Sequence, residues 1–128
     1  MRDPAKLRAF QLARQLALAV YEHTASFPKS EAFGLTSQMR RAGVSVGSSI
    51  VEGCSRHFLA DYIRFLEIAY GSVRELEFQI DLAQKLKFFD APPFDQLRQL
   101  ACETGKVLNG LIRSLRDKWP APVYTLPG

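Results

Sequence analysis

Residues 62–83 read YIRFLEIAYGSVRELEFQIDLA. Tyr62, Leu66, Ala69, Val73, Leu76, Ile80 and Ala83 recur alternately at four and three, and Phe65, Ser72 and Leu86 widen the stripe. An apolar period of 3.5 is the seam of helical bundles, and no strand-like alternation competes with it. The stretch predicts a helix over 58–88, ~45 Å long at ~1.5 Å per residue.

Upstream, residues 35–53 carry Leu35, Met39, Ala42, Val46 and Ile50 at helical spacing. Small residues surround them: Gly43, Ser45, Gly47, Ser48 and Ser49. Each Gly costs a helix about 1 kcal/mol relative to Ala, so their presence implies close packing against a neighbour. Gly53 reads as a stop. Asp3-Pro4 offers an N-cap and a first-turn proline, and Leu7, Phe10, Ala13, Ala17, Val20, Tyr21 and Thr24 follow. They predict a helix over 4–25, ended by Phe27-Pro28, with one helical turn expected around Ser30 and Glu31. Downstream of the break at Asp90-Ala91-Pro92-Pro93, the positions Leu97, Ala101, Thr104, Leu108, Leu111 and Leu115 predict a helix over 93–118. The proline-bearing tail, 119–128, reads as extended. Four amphipathic helices with short connections predict one all-α domain over 1–128, an antiparallel up-down-up-down four-helix bundle.

Composition agrees. A chain of 128 residues, 47% apolar and 23% charged, can bury a core without staples. Two cysteines, Cys54 and Cys102, exclude a disulfide framework and fit a reducing compartment. No run approaches the ~18 apolar residues of a membrane span, and no cleavage site follows Leu16 to Tyr21. A cytoplasmic protein with no membrane partner is expected. Cys54 and His57 are spaced like half of a zinc site, but no second pair completes it. The sequence holds no Glu-x-x-His pair and no nucleophile elbow. No catalytic residue, metal or cofactor is expected, and the protein reads as no enzyme. Phe33, Phe58, Leu59, Ile63, Phe78, Phe88, Phe89 and Phe94 lie off the stripes. They predict a second burial surface, most simply between subunits, or else they cover the open ends of the bundle.

Seventeen Lys and Arg against 13 Asp and Glu give +4, which permits an anionic partner without demanding one. Arg40, Arg41, Arg56 and Arg64 form the candidate nucleic-acid-binding set, extended by Lys6, Arg8, Arg113 and Arg116. Such clusters neutralise phosphates and release counterions. For a hairpin turning near residue 55, Arg41 stands level with Tyr70 and Gly71, between Glu67 and Glu75. Arg40 and Arg41 are then either free for an anion or paired with one of those carboxylates. Gly71 faces Gly43 in that geometry, which implies close approach of two backbones. Gln38, Arg41, Ser45, Ser48 and Glu52 make a polar stripe: a ligand track, a solvated face or a network between subunits. Glu52 is expected to pair with Arg56 or to accept N–H groups of the next helix. Gln38, Gly43, Ser45, Glu52, Gly71, Ser72 and Glu75 therefore read as structural polar or close-packing positions. No aromatic stacking platform is discernible, so RNA or DNA would be held by charge and shape with little base readout. The alternative is a protein-interaction scaffold that docks a protein partner on the off-stripe aromatics.

An ordered set of residues also carries a resemblance. It comprises Phe27-Pro28, Glu31, Gly34-Leu35, Gln38-Met39-Arg40-Arg41-Ala42, Ser45, Glu52-Gly53, Arg56, Phe65-Leu66, Ala69, Gly71-Ser72 and Glu75-Leu76-Glu77. In these the chain resembles the 23S rRNA intervening-sequence protein family and is similar to the accessory variability determinant of diversity-generating retroelements. The resemblance implies an antiparallel four-helix bundle assembled as a homopentamer. For the retroelement branch it implies binding of nucleic acid and a reverse transcriptase through a basic surface. At Phe58 the family usually has Ser or Thr, which would cap the third helix; here Ser55 must do so, or the helix starts earlier.

Overall fold

The computed structural model describes residues 2–118; the extended tail expected over 119–128 lies outside them. Four α-helices follow one another: α1 (Arg8–Thr24), α2 (Leu35–Cys54), α3 (Leu59–Lys85) and α4 (Ala91–Lys118). Single 3₁₀ turns stand at Pro4–Lys6 and Lys29–Glu31, and there is no strand among the described residues. Each helix packs on its neighbours in the chain, α1 closes the ring on α4, and the diagonal pairs make no close backbone contact. This is the all-α antiparallel bundle that the apolar stripes predict. The α3 stripe lies at its centre, with Leu66, Ala69, Val73, Leu76 and Ala83 fully buried and Tyr62 and Ile80 nearly so. Leu16 and Val20 from α1, Met39, Val46 and Ile50 from α2, and Leu97 and Leu108 from α4 complete the core. Each such side chain contributes roughly 1.5–3 kcal/mol, so burial of the stripes decides the packing.

The helix ends depart from expectation for identifiable reasons. Asp3 accepts from the Ala5 N–H at 3.0 Å and Pro4 opens a helical turn, but Leu7 is extended (φ −90°, ψ 126°) and α1 begins only at Arg8. The extension lets the N-terminal turn cross the bundle, where Arg2 donates to the Arg56 carbonyl at 2.8 Å and lies 4.1 Å above the Tyr62 ring. Helix α4 starts at Ala91 and takes in both Pro92 and Pro93, because the first N–H groups of a helix have no intrahelical partner to lose. Helix α3 stops at Lys85 because Lys87 turns left-handed (φ 65°). Phe88 N–H then bonds the Ala83 carbonyl at 2.9 Å and Lys87 N–H that of Gln84 at 3.0 Å, a Schellman closure. Phe58 occupies the N-cap of α3 and offers no side-chain bond, while Ser55 donates back to the Glu52 carbonyl at 2.7 Å and closes α2. The start of α2 is capped by Glu31, whose carboxylate accepts from Leu35 N–H at 3.0 Å.

The paired glycines are a correction. Ser45 bonds Ser72 at 2.9 Å, so α2 stands about a turn and a half further along α3 than a hairpin turning near residue 55 would place it. Residues 55–58 all lie between the helices and carry the pivot onward. Gly43 faces Val20 and Ala17 of α1 instead, and a Cβ on Gly71 would meet nothing within 4 Å. The close approach of α2 to α3 is at Gly53, where a Cβ would lie 2.9 Å from Phe65 Cβ and 3.3 Å from the Tyr62 carbonyl. Gly71→Ala is therefore expected to raise stability by about 1 kcal/mol, the ordinary helical preference for Ala. A higher urea midpoint checks this; a lower one would mean that Gly71 is packed.

Most off-stripe apolar residues cover the bundle ends. Ile63 and Phe89 are buried, and Leu59, Phe88 and Phe94 are partly buried against the core. Phe27 stacks with Phe88 and Phe89 at ring-centroid distances of 5.3 and 4.9 Å. Phe33, Phe58 and Phe78 remain exposed.

Candidate nucleic-acid interface

The antiparallel order brings the start of α1, the end of α2, the start of α3 and the end of α4 to one end of the bundle. The segments meeting there carry Arg2, Lys6 and Arg8, then Arg56 and Arg64, then Arg113, Arg116 and Lys118, against Asp3, Glu52, Asp61 and Asp117. That is eight cations against four carboxylates, where the whole chain has 17 against 13. Glu52 pairs with Arg56 at 3.8 Å, and Glu103 and Glu67 reach in from the sides to pair with Arg8 and Arg116. Exposed pairs of this kind are worth at most about 1 kcal/mol and open easily to a competing anion. Among the described residues Arg2, Lys6, Arg64, Arg113 and Lys118 make no ion pair. This end is a basic pole.

The four arginines singled out in the sequence separate. Arg56 and Arg64 come together at Phe65, their guanidiniums 4.7 and 4.8 Å from its ring centroid. Arg40 turns to the C-terminal end of α1. It donates to Thr24 Oγ1 at 3.0 Å and to the Tyr21 carbonyl at 3.5 Å, and lies 4.5 Å above the Tyr21 ring. A cation there satisfies orphan carbonyls and the negative helix end. Arg41 is exposed and pairs with neither carboxylate: Glu67 holds Arg116, and Glu75 accepts from the Gln79 amide at 3.4 Å. The expected Glu52–Arg56 pair is present.

Gln38, Arg41, Ser45, Ser72 and Glu75 line a polar recess of about 520 Å³ between α2 and α3. A groove of about 710 Å³ follows the outer face of α2, from Tyr21 and Phe33 past Arg40, Arg41 and Ser48 to Glu52. The polar stripe is thus a ridge between two hollows, tied to α3 at Ser45. Tyr21 and Phe33 escaped sequence reasoning as parts of this face because one comes from the end of α1 and the other from the connector. The place of Phe33 off every stripe was the signal.

Cys54 is buried beside Tyr62. Burial pushes the Cys54 thiol up and the Tyr62 phenol up to about 12, so both stay protonated at neutral pH and the thiol is a poor nucleophile. Among the described residues no three His, Cys, Asp or Glu side chains are grouped to hold a metal ion. No described helix is long and apolar enough to cross a membrane.

A family model described as 23S rRNA-intervening sequence protein matches residues 5–110. No curated protein matches significantly. A crystal structure of a Bacteroides thetaiotaomicron protein of unknown function from the S23 ribosomal protein family superposes with a TM-score of 0.75. At 21% identity over 82% of this chain and 95% of that one, the likeness is one of fold.

Proposed function

The chain belongs to the 23S rRNA-intervening sequence protein family, and from that premise we propose that it is a non-enzymatic RNA-binding bundle whose basic pole holds the phosphate backbone. The observation that carries this reading is the gathering of Arg2, Arg56, Arg64, Arg113 and their neighbours at one end. Guanidinium forks match phosphate geometry, and they hold a backbone by charge and shape without reading bases. The likeness to the retroelement accessory determinant belongs to the same proposal and points to the same chemistry. Binding of mixed-sequence RNA should weaken on the order of a hundredfold between 50 and 200 mM salt if four or five phosphates are neutralised. Fluorescence anisotropy checks this. Affinity that ignores salt, or no binding at low salt, overturns the reading.

We also propose that copies of the chain assemble, five to a ring as the resemblance implies. Exposed Phe58, at the N-cap of α3, and Phe78, on α3, support it. Phe58 holds a cap position where Ser would stabilise the helix by about 1 kcal/mol, so the apolar ring is kept against a folding advantage. Light scattering should give a mass near five chains; a clean monomer at micromolar concentration refutes assembly.

A further inference from the structure

Resting on that RNA-binding reading, we infer that the groove along the outer face of α2 takes single-stranded RNA, with Phe33 as a stacking platform for its bases and Arg41 as a backbone contact. The connector sets Phe33, 99% exposed, at the foot of the groove of about 710 Å³. A phenylalanine wholly in water gains nothing by folding and leaves its ring open to a flat partner. Tyr21 stands beside it as a wall of the groove, its ring covered by Arg40, which lies 4.5 Å over it and is bonded to Thr24. Base–aromatic stacking tolerates any sequence because every base has a π-face, which suits an interface that otherwise works by charge. Duplex RNA keeps its bases stacked inside and cannot use the ring.

Charge complements the shape. Arg40 and Arg41 outnumber Glu52, which is the carboxylate lining the groove. Glu52 in turn lies 3.8 Å from Arg56 at the basic pole. A strand anchored at the pole can therefore follow α2 down to the ring without leaving the protein surface.

The test compares a single strand and a duplex of equal length, bound by the wild type, by Phe33→Ala and by the pole variant Arg56→Glu/Arg64→Glu. The expected result is preference for the single strand, a loss of about tenfold in single-strand affinity for Phe33→Ala with duplex affinity unchanged, and loss of both by the pole variant. An unchanged urea midpoint shows that Phe33→Ala folds. Equal binding of both RNAs with no effect of Phe33→Ala overturns the groove while leaving pole binding intact. Absence of all RNA binding by the wild type defeats the pole as well. A change in mass of Phe33→Ala by light scattering assigns the ring to contact between copies and also overturns the proposal.

Discussion

Arg56→Glu/Arg64→Glu is expected to weaken RNA binding on the order of a hundredfold at moderate salt. Two phosphate contacts are lost and two repulsive charges stand in their place, both beside Phe65. The slope of log affinity against log salt should become shallower by about two, since each lost phosphate contact removes roughly one. Folding should survive. The Glu52–Arg56 pair is exposed and worth at most about 1 kcal/mol, and each surface cation–π contact contributes about 0.5–1 kcal/mol. Anisotropy titrations at several salt concentrations read the effect. A variant that binds RNA as tightly as the parent would remove the pole from the function and leave the scaffold alternative standing.

Gly53→Val is expected to lower stability by about 3 kcal/mol. A Cβ alone would press to 2.9 Å from Phe65 Cβ, 3.2 Å from Tyr62 Cδ1 and 3.3 Å from the Tyr62 carbonyl. Backbone and Cβ atoms cannot swing aside as a flexible side-chain tip can, and overpacking of this kind typically costs about 1–3 kcal/mol before the two further methyls are placed. Gly53→Ala should fall between the parent and Gly53→Val. Urea unfolding measures the series. Equal midpoints would mean that α2 and α3 do not close at this glycine.

The fold was legible because its signal is periodic and repeated. All seven stripe positions of α3 are buried, and so are Leu97, Ala101, Thr104 and Leu108 of α4. At the far end of α4 the reading drifts: Leu111 and Leu115 move to the edge and Ile112 takes the core place, as a 3.6-residue helix walks off a 3.5 repeat. On α1 it misses more: Ala9, Leu12, Leu16 and Ala19 join Ala13 and Val20 in the core, while Leu7, Phe10 and Ala17 are only partly buried and Tyr21 is exposed. Glu52–Arg56 was legible because it is local, four residues apart. The sliding position of α2 on α3 was not. It depends on how many residues the connection leaves outside both helices, and the Ser45–Ser72 bond reveals that number only in three dimensions. The contacts of Arg40 were hidden for a similar reason. Its partners are the end of α1, sixteen and nineteen residues away, and no spacing rule advertises an unfilled carbonyl. The basic pole is scattered over three segments and emerges only once the helices are placed antiparallel.

One residue, Leu7, interrupts what would otherwise be a continuous rod from Pro4 to Thr24. A straight rod would carry Arg2 out past the last turn. The bend lays it on Tyr62 instead, beside cations that belong to other segments. Fields from charges crowded over an apolar floor add up before the solvent damps them, within a reach of about 8 Å at physiological ionic strength. On the proposed RNA-binding reading, a polyanion drifting by is drawn in from further off and meets the molecule already oriented, and straightening Leu7 should show first in the association rate.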